Sequence, residues 1–391
     1  MHLLEDILVI DFSQFLSGPS ASLTLADMGA RVIKVEKPGT GDICRELYVS
    51  DVVIDGASSI FQAINRNKES YSADLKNAED MAKIKGLLKH ADVVIHNFRP
   101  GVMERLGLGY EEVKAMNPSV VYGSISGFGE EGPWKQLPGQ DLLLQSLTGI
   151  TQLNGKAGEN PIPMGVSVID ILSGIHLSQG ILSLLYQRTL SGEGGDVKVS
   201  MLESALDLQF EVLTCFYNDG NELPQRSSVN GGHPYVGAPY GIYQTADAWL
   251  ALAMTDIVQL GRLTGCEALT KYVDRDEWFA RRDEIKSLLA RHLQKRSTAE
   301  WLQVLEPADV WCAEVLSYGQ LRKQPAYTEL DMEMVVKNSR GTRITTTRCP
   351  FKVDGLMLTS TIAAPLLGEH TAAIDKEFGL NQWQKQEAVV S

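Results

Sequence analysis

Short β-branched runs alternate with helical segments through the first half of the chain, and this most constrains its fold. Strands joined through helices run parallel and build a doubly wound α/β sheet. Strands are expected at Ile7 to Asp11, Arg31 to Glu36, Asp92 to Asn97 and Ser119 to Ile125. Between the first two, Gly18 and Pro19 open a segment whose Leu23, Leu25, Ala26 and Met28 suit a helix, with the proline near the first turn, where its missing N–H costs nothing. After Pro161 and Pro163, a run from Val168 to Tyr186 sets Ser173, Gly174, Gly180 and Ser183 among large aliphatics, the pattern of a helix packed closely on its neighbours.

A turn over Ser191 to Gly195 then leads to a short strand at Val197 to Ser200 and a long apolar helix from Met201 to about Tyr217. A polar, glycine-rich linker covers Asn218 to Gly232. From Gly237 the texture changes to a strand pair, Gly241 to Thr245 and Trp249 to Met254, followed by amphipathic helices around Trp278 to Leu293 and Thr298 to Leu305. Ser297 and Glu300 read as a capping box for the last of these. The expected organisation is a large α/β domain over 1–199, a linker helix and loop over 200–236, a small α/β domain over 237–330 and a return segment over 331–391.

With 391 residues, 44% of them hydrophobic, the chain can bury the cores of two domains. Forty-nine acidic residues against 36 basic ones leave a net charge of −13, which argues against nucleic acid or an anionic membrane as partner. An anionic ligand must therefore be met by local cations. The five cysteines (Cys44, Cys215, Cys266, Cys312, Cys349) are far apart, with no C-x-x-C pair and no histidine at ligand spacing, so no metal site is expected and a reducing compartment suits them. No stretch approaches about 18 consecutive apolar residues, and the N-terminus lacks a basic stretch followed by an apolar one. A cytoplasmic location is the expectation.

Several motifs can be tested and set aside. Glu36 ends the second strand where dinucleotide-binding folds place a ribose-binding acid, but Ser17-Gly18-Pro19-Ser20 replaces G-x-G-x-x-G, and Pro19 removes an amide from the pyrophosphate cradle. Gly123-Ser124-Ile125-Ser126-Gly127 puts isoleucine where a serine nucleophile elbow needs its serine. Neither a Walker A motif nor H-E-x-x-H occurs. Asp170 stands out instead. It opens a long apolar helix, where free amides and the macrodipole favour an ionised carboxylate able to attack. The plainer reading is that Ser167 and Asp170 form a capping box and do no chemistry.

Separate stretches of the chain resemble one family. Asp11-Phe12-Ser13-Gln14-Phe15-Leu16-Ser17-Gly18-Pro19, then Gly29 to Gly39, then Asn65-Arg66-Asn67-Lys68 follow in order. His96-Asn97-Phe98-Arg99-Pro100-Gly101 with Arg105, Gly127 to Pro133, the spacing of Pro163, Gly165, Asp170 and Gly174, and Ala364 to His370 complete the series. Together these resemble the class III coenzyme A transferases, a family that includes formyl-CoA and carnitine CoA-transferases and a branch of acyl-CoA racemases. The resemblance implies a Rossmann-like large domain built from both chain ends, a smaller α/β domain, and a homodimer whose subunits interlock like two links.

The resemblance also implies the chemistry. Asp170 would attack an acyl-CoA to give a mixed anhydride and then an aspartyl-CoA thioester, with no permanently bound cofactor and with CoA as co-substrate. Leu16 and Ser17 correspond to backbone contacts with CoA, Lys37 and Arg105 to phosphate-binding cations, and Asn97, Phe98 and Arg99 to the wall of the CoA site. Ala73, Asp74, Leu75 and Lys76 align with a CoA-contacting turn, though Ala73 departs from the usual leucine. Gly231, Gly232 and His233, after Asn230, fall where the family has a glycine-rich loop over the site. Racemases of this kind carry G-H-D, whereas Gly139-Gln140-Asp141 stands here, and glutamine cannot serve as a base. Gln140, Asp141 and Gln145 then become candidates for positioning Asp170 or the acyl carboxylate.

The expected activity is transfer of CoA from a donor such as succinyl-CoA to a small acid, a dicarboxylate such as itaconate, oxalate or mesaconate, with Arg66, Arg226 and His233 as candidates to meet its second carboxylate. The alternatives are an acyl-CoA racemase or epimerase, and a catalytically silent CoA-binding dimer.

Overall fold

Two rows of aliphatic side chains, one on each face of a parallel sheet, organise the first half of the molecule. The computed structural model describes residues 3–47 and 52–382. In it six strands form one parallel sheet: β1 (Leu8–Asp11), β2 (Arg31–Glu36), β3 (Lys68–Ser72), β4 (Val93–His96), β5 (Val121–Ser126) and β6 (Gly195–Ser200), in the order β3-β2-β1-β4-β5-β6. Registry pairs Val9 with Val32 and Val93, and Val93 with Val121, as one buried row. Ile10, Ile33, Val94 and Tyr122 form the row beneath. Each row heads its own core cluster, so both faces of the sheet are covered, as a parallel sheet requires.

Helices α1 (Ser17–Asp27), α2 (Ala78–Leu88), α3 (Asp141–Leu147), α4 (Val168–Ser191) and α5 (Met201–Asp207) follow in chain order. The strand order reverses between β1 and β4. In doubly wound sheets that switch point opens a crevice at the carboxyl ends of the strands. The segments after β1 and β4, residues 12–17 and 97–101, border it.

β3 was not expected from the sequence, because Lys68-Glu69-Ser70-Tyr71-Ser72 has one apolar residue in five. Its burial is made possible by hydrogen bonding. The Lys68 ammonium, fully buried, donates to Pro19 O at 2.9 Å, Ser22 Oγ at 2.8 Å and Asn65 Oδ1 at 2.9 Å, and pairs with Asp11 at 3.3 Å. A buried charge survives only with such a full set of partners. Burial still pulls the Lys68 ammonium down to about 8, with Asp11 opposing.

By contacts the chain divides into two units, one of residues 1–144, 167–205 and 330–391, the other of 145–166 and 206–329. The expected large domain over 1–199 includes the segment 145–166. Local bonds attach it to the second unit: Arg226 donates to Asn154 O and Glu159 O, Ala157 N to Ser227 O, and Gln209 Nε2 to Thr148 O. The helix expected from Met201 to Tyr217 is broken at Leu208 and Gln209, so that α5 is followed by α6 (Phe210–Asn218).

In the second unit β7 (Gly241–Gln244) and β8 (Trp249–Leu252) pair antiparallel, with β9 (Cys312–Glu314) on the outer side of β8. Helices α7 (Arg282–Leu293) and α8 (Thr298–Leu305) pack on this sheet through Ile285, Leu289 and Trp301, and α8 carries the expected capping box. Among the described residues the return segment adds the antiparallel pair Glu333–Lys337 and Arg343–Thr347 and the helix Thr371–Glu377, but no strand to the six-stranded sheet. Its Ile374 enters the core beside α2, and its His370 N–H donates to Ser70 O at 3.1 Å.

Candidate active site

The carboxyl ends of β1, β4 and β5 surround a cavity of about 760 Å³. Leu16, Ser17, Asn97, Phe98, Arg99, Gln140, Asp141 and Asp170 all line it, so residues from four separate stretches of sequence meet there. Asp170 enters on the first turn of α4. Its position follows from Gly174, one turn further along the same face: a Cβ there would lie 2.1 Å from Ser20 Oγ and 2.7 Å from Ser17 O. Only glycine lets α4 approach the start of α1 this closely, and that approach puts the Ser17 side chain in hydrogen-bonding reach of the Asp170 carboxylate. Gly174→Ala is expected to lower stability by about 1–3 kcal/mol through overpacking and to depress CoA transfer with it. Thermal melts and an exchange assay on the same preparation check both.

The capping box of the plainer reading is absent. Ser167 occupies the N-cap of α4 without a side-chain cap bond. Asp141 takes the role across 28 residues of sequence: its Oδ1 accepts from Ile169 N at 2.8 Å and Asp170 N at 3.3 Å. A carboxylate is a stronger acceptor for these amides than a hydroxyl. Asp141 is delivered by the close crossing of Gly127 and Gly139, where a Cβ on Gly139 would lie 2.5 Å from the Gly127 Cα. Asp170 is thus excused from capping its own helix and remains available to the cavity.

This arrangement corrects the expectation that the helix start holds Asp170 ionised. The amides that would favour its charge are already occupied by another negative charge. Burial pushes the Asp170 carboxyl up to about 7, Asp141 adds in the same direction, and the Ser17 hydrogen bond opposes them.

The loop between β1 and α1 is clamped from two sides. Asn97 Oδ1 accepts from Gln14 N at 2.8 Å, and its Nδ2 donates to Gln14 O at 2.6 Å. From the other side Asp42 Oδ1 accepts from Phe15 N at 3.2 Å. Among the described residues no hydrogen bond uses the N–H of Leu16 or Ser17. His96, beneath Phe98, accepts from Phe98 N at 3.3 Å, and burial drops its imidazole to about 4, so it is neutral.

Other expected site residues lie elsewhere. Lys37 is exposed just beyond β2, and because β2 pairs with β3, Ala73 N donates to Glu36 O at 2.9 Å, which brings the turn Ala73, Asp74, Leu75 and Lys76 beside it. Arg105 is exposed in a short helix next to Gly101, which lines a second cavity of about 510 Å³. In the second unit Gln145 Oε1 accepts from Met164 N at 2.8 Å, while its Nε2 reaches Val166 O at 3.5 Å. Gly231 and Gly232 are closely packed, the first against Gly155 O and the second against the Tyr240 ring. His233 Nδ1 accepts from Tyr235 N at 3.2 Å.

Two proposed cations are already committed. Arg66 is buried against Asp27 and donates to Ala63 O, and Arg226 is spent on the carbonyls of Asn154 and Glu159. Missed by the sequence reading was Lys135, which lines the cavity with Arg99. Neither side chain makes a hydrogen bond or ion pair among the described residues. Glu36 is bound by Arg45 at 2.7 Å and by Ser70 Oγ at 2.6 Å, so it has no capacity left for a ribose.

Comparison with known proteins agrees with this geometry. The profile of CoA-transferase family III matches residues 4–371. The chain belongs to CoA-transferase family III. This family III enzyme transfers CoA, which is its co-substrate. It is 33% identical over 390 residues to the acetyl-CoA:oxalate CoA-transferase of Acetobacter aceti, covering 96% of this chain and 95% of that one. It is 32% identical to the succinyl-CoA:mesaconate CoA-transferase of Haloarcula hispanica, covering 97% of each. Among solved structures, a CAIB/BAIF family protein from Brucella suis superposes with a TM-score of 0.81 at 28% identity, over 95% of this chain and 98% of that one.

Proposed function

We propose that this CoA-transferase moves CoA from succinyl-CoA to a short dicarboxylic acid, with Asp170 as the covalent carrier. The observation that carries the reading is a nucleophile-capable carboxyl, excused from helix capping, in a cavity beside two unused amides and two uncommitted cations. The Asp170 carboxylate attacks the thioester carbonyl and CoA thiolate leaves, giving a mixed anhydride. The thiolate then attacks the aspartyl carbonyl, releasing the donor acid and forming an aspartyl-CoA thioester. The acceptor carboxylate attacks that thioester, and the expelled thiolate takes up the new acyl group, which restores Asp170. Each attack builds an oxyanion, for which the N–H groups of Leu16 and Ser17 are the donors. Lys37 and Arg105 hold the CoA phosphates beside the 73–76 turn.

The dicarboxylate reading draws on relatives named for oxalate, mesaconate and glutarate transfer. In this chain Lys135 and Arg99 take the place of Arg66 and Arg226 as cations for the second carboxylate. Gln140 in the cavity wall supports transfer over racemisation, which needs a base there. A homodimer is supported by the bare apolar side chains on α4, where Tyr186 is 70% and Leu190 75% exposed. The test offers succinyl-CoA and an aryl or steroidal thioester, each with oxalate, mesaconate, itaconate and glutarate, and follows CoA exchange by mass. Succinyl-CoA with a diacid should be the fastest pair. A hundredfold preference for the bulky donor would overturn the substrate class.

A further inference from the structure

Beneath the cavity lies a buried ion pair that takes no part in the chemistry above. Lys34 Nζ sits 2.8 Å from Asp42 Oδ2, and both side chains are at most 1% exposed. Lys34 also donates to Ser13 O at 2.7 Å, and the other oxygen of Asp42 accepts from Phe15 N at 3.2 Å and Cys44 N at 2.9 Å. The pair thus tethers residues 13 and 15, on either side of the Gln14 that Asn97 holds from above. Phe15 has φ of 63°, in the left-handed region that a bulky side chain avoids, and the residue is 46% exposed, so burial in a core does not hold it there. The next two residues carry the unused amides.

We propose that Asp42, fixed by Lys34, is a positioning residue for CoA transfer: by accepting the Phe15 N–H it holds Phe15 left-handed and so aims the Leu16 and Ser17 amides at the carbonyl that Asp170 attacks. The proposal rests on the reading of Asp170 and the two amides given above. A buried pair of this kind contributes little net stability compared with an apolar replacement, but it fixes one geometry. Misaiming an oxyanion donor costs turnover more than binding.

The test compares kcat and KM for acyl-CoA in the full-length enzyme, with circular dichroism on each variant. Asp42→Ala should lower kcat about thirtyfold while KM moves less than about threefold. Adding Phe15→Gly to that variant should restore about tenfold, because glycine enters the left-handed region without penalty. Lys34→Met with Asp42→Asn removes both charges yet keeps the acceptor, and should stay within about fivefold of wild type. If Asp42→Ala proves unfolded, Lys34→Met with Asp42→Asn is compared with Lys34→Met with Asp42→Ala, and the former must be the faster by about tenfold. A kcat for Asp42→Ala within twofold of wild type, absence of rescue by Phe15→Gly, or equality of the two double variants overturns the proposal. The covalent reading is scored separately, by whether the wild-type enzyme accumulates an Asp170 adduct. Its absence would refute the carrier while leaving the Asp42 effect on kcat to be read in its own right.

Discussion

Asp170→Asn is expected to reduce CoA transfer at least about a thousandfold, because the side chain that must become an anhydride and then a thioester is gone. Asparagine has nearly the same shape and can still accept a hydrogen bond from Ser17, so the fold and the CoA site should persist. The loss should therefore appear in turnover, with CoA binding close to wild type. Intact mass and peptide mapping provide the matching positive observation. Wild-type enzyme incubated with a competent acyl-CoA and hydroxylamine should be modified on the peptide containing Asp170, and the variant should not. An asparagine variant that keeps more than a tenth of wild-type turnover would place the carrier elsewhere.

The contrast between Asp170 and its surroundings shows what the sequence could and could not disclose. The strands β1, β2, β4 and β5 are legible because each carries at least two β-branched aliphatic residues at buried positions. β3 is not, since its stability comes from partners at positions 11, 19, 22 and 65 that converge on Lys68 only once the chain is folded. The break at Leu208 and Gln209 has the same origin, because Gln209 turns back to the Thr148 carbonyl and no local signal announces that choice. Arg66 and Arg226 looked like available cations because a sequence shows charge but not commitment. Lys135 looked ordinary because the loop that brings it to the cavity has no regular period.

Position and resemblance both singled out Asp170, but the electrostatics around it depended on a residue 29 positions away. From sequence, Asp141 was one of several candidates for positioning. In the structure it takes over the helix cap that would otherwise have stabilised the charge of Asp170, and the two acids face the same cavity. Local rules about helix termini gave the wrong sign for the nucleophile because burial, which only the fold creates, outweighs them, and because Asp141 already satisfies the terminus.

That sign has a thermodynamic consequence, which is the second large effect expected. In the folded protein, chiefly through burial, the Asp170 carboxyl moves from an ordinary 3.8 to about 7, so the native state holds the proton more tightly than the unfolded chain does. Below pH 4 the group is protonated in both states and costs nothing. Between pH 4 and 7 the unfolded chain releases the proton first, so stability falls as pH rises, and above 7 the full penalty is present. At about 1.4 kcal/mol per pH unit this amounts to an upper figure on the order of 4 kcal/mol. Asp170→Asn should therefore be more stable than wild type at pH 8 by about 2–4 kcal/mol, with the difference vanishing towards pH 4. Denaturant titrations of both proteins at pH 4.5, 6 and 8 would show it. The same titration governs rate: kcat/KM for acyl-CoA in wild type should fall about tenfold per pH unit below 7, where the nucleophile is protonated, and level off above it. A stability difference independent of pH, or one that grows towards acid, would mean that Asp170 is not the destabilised carboxyl this site requires. A gain confined to the pH range in which the rate is also highest would tie the cost of burying the charge to the reactivity it provides.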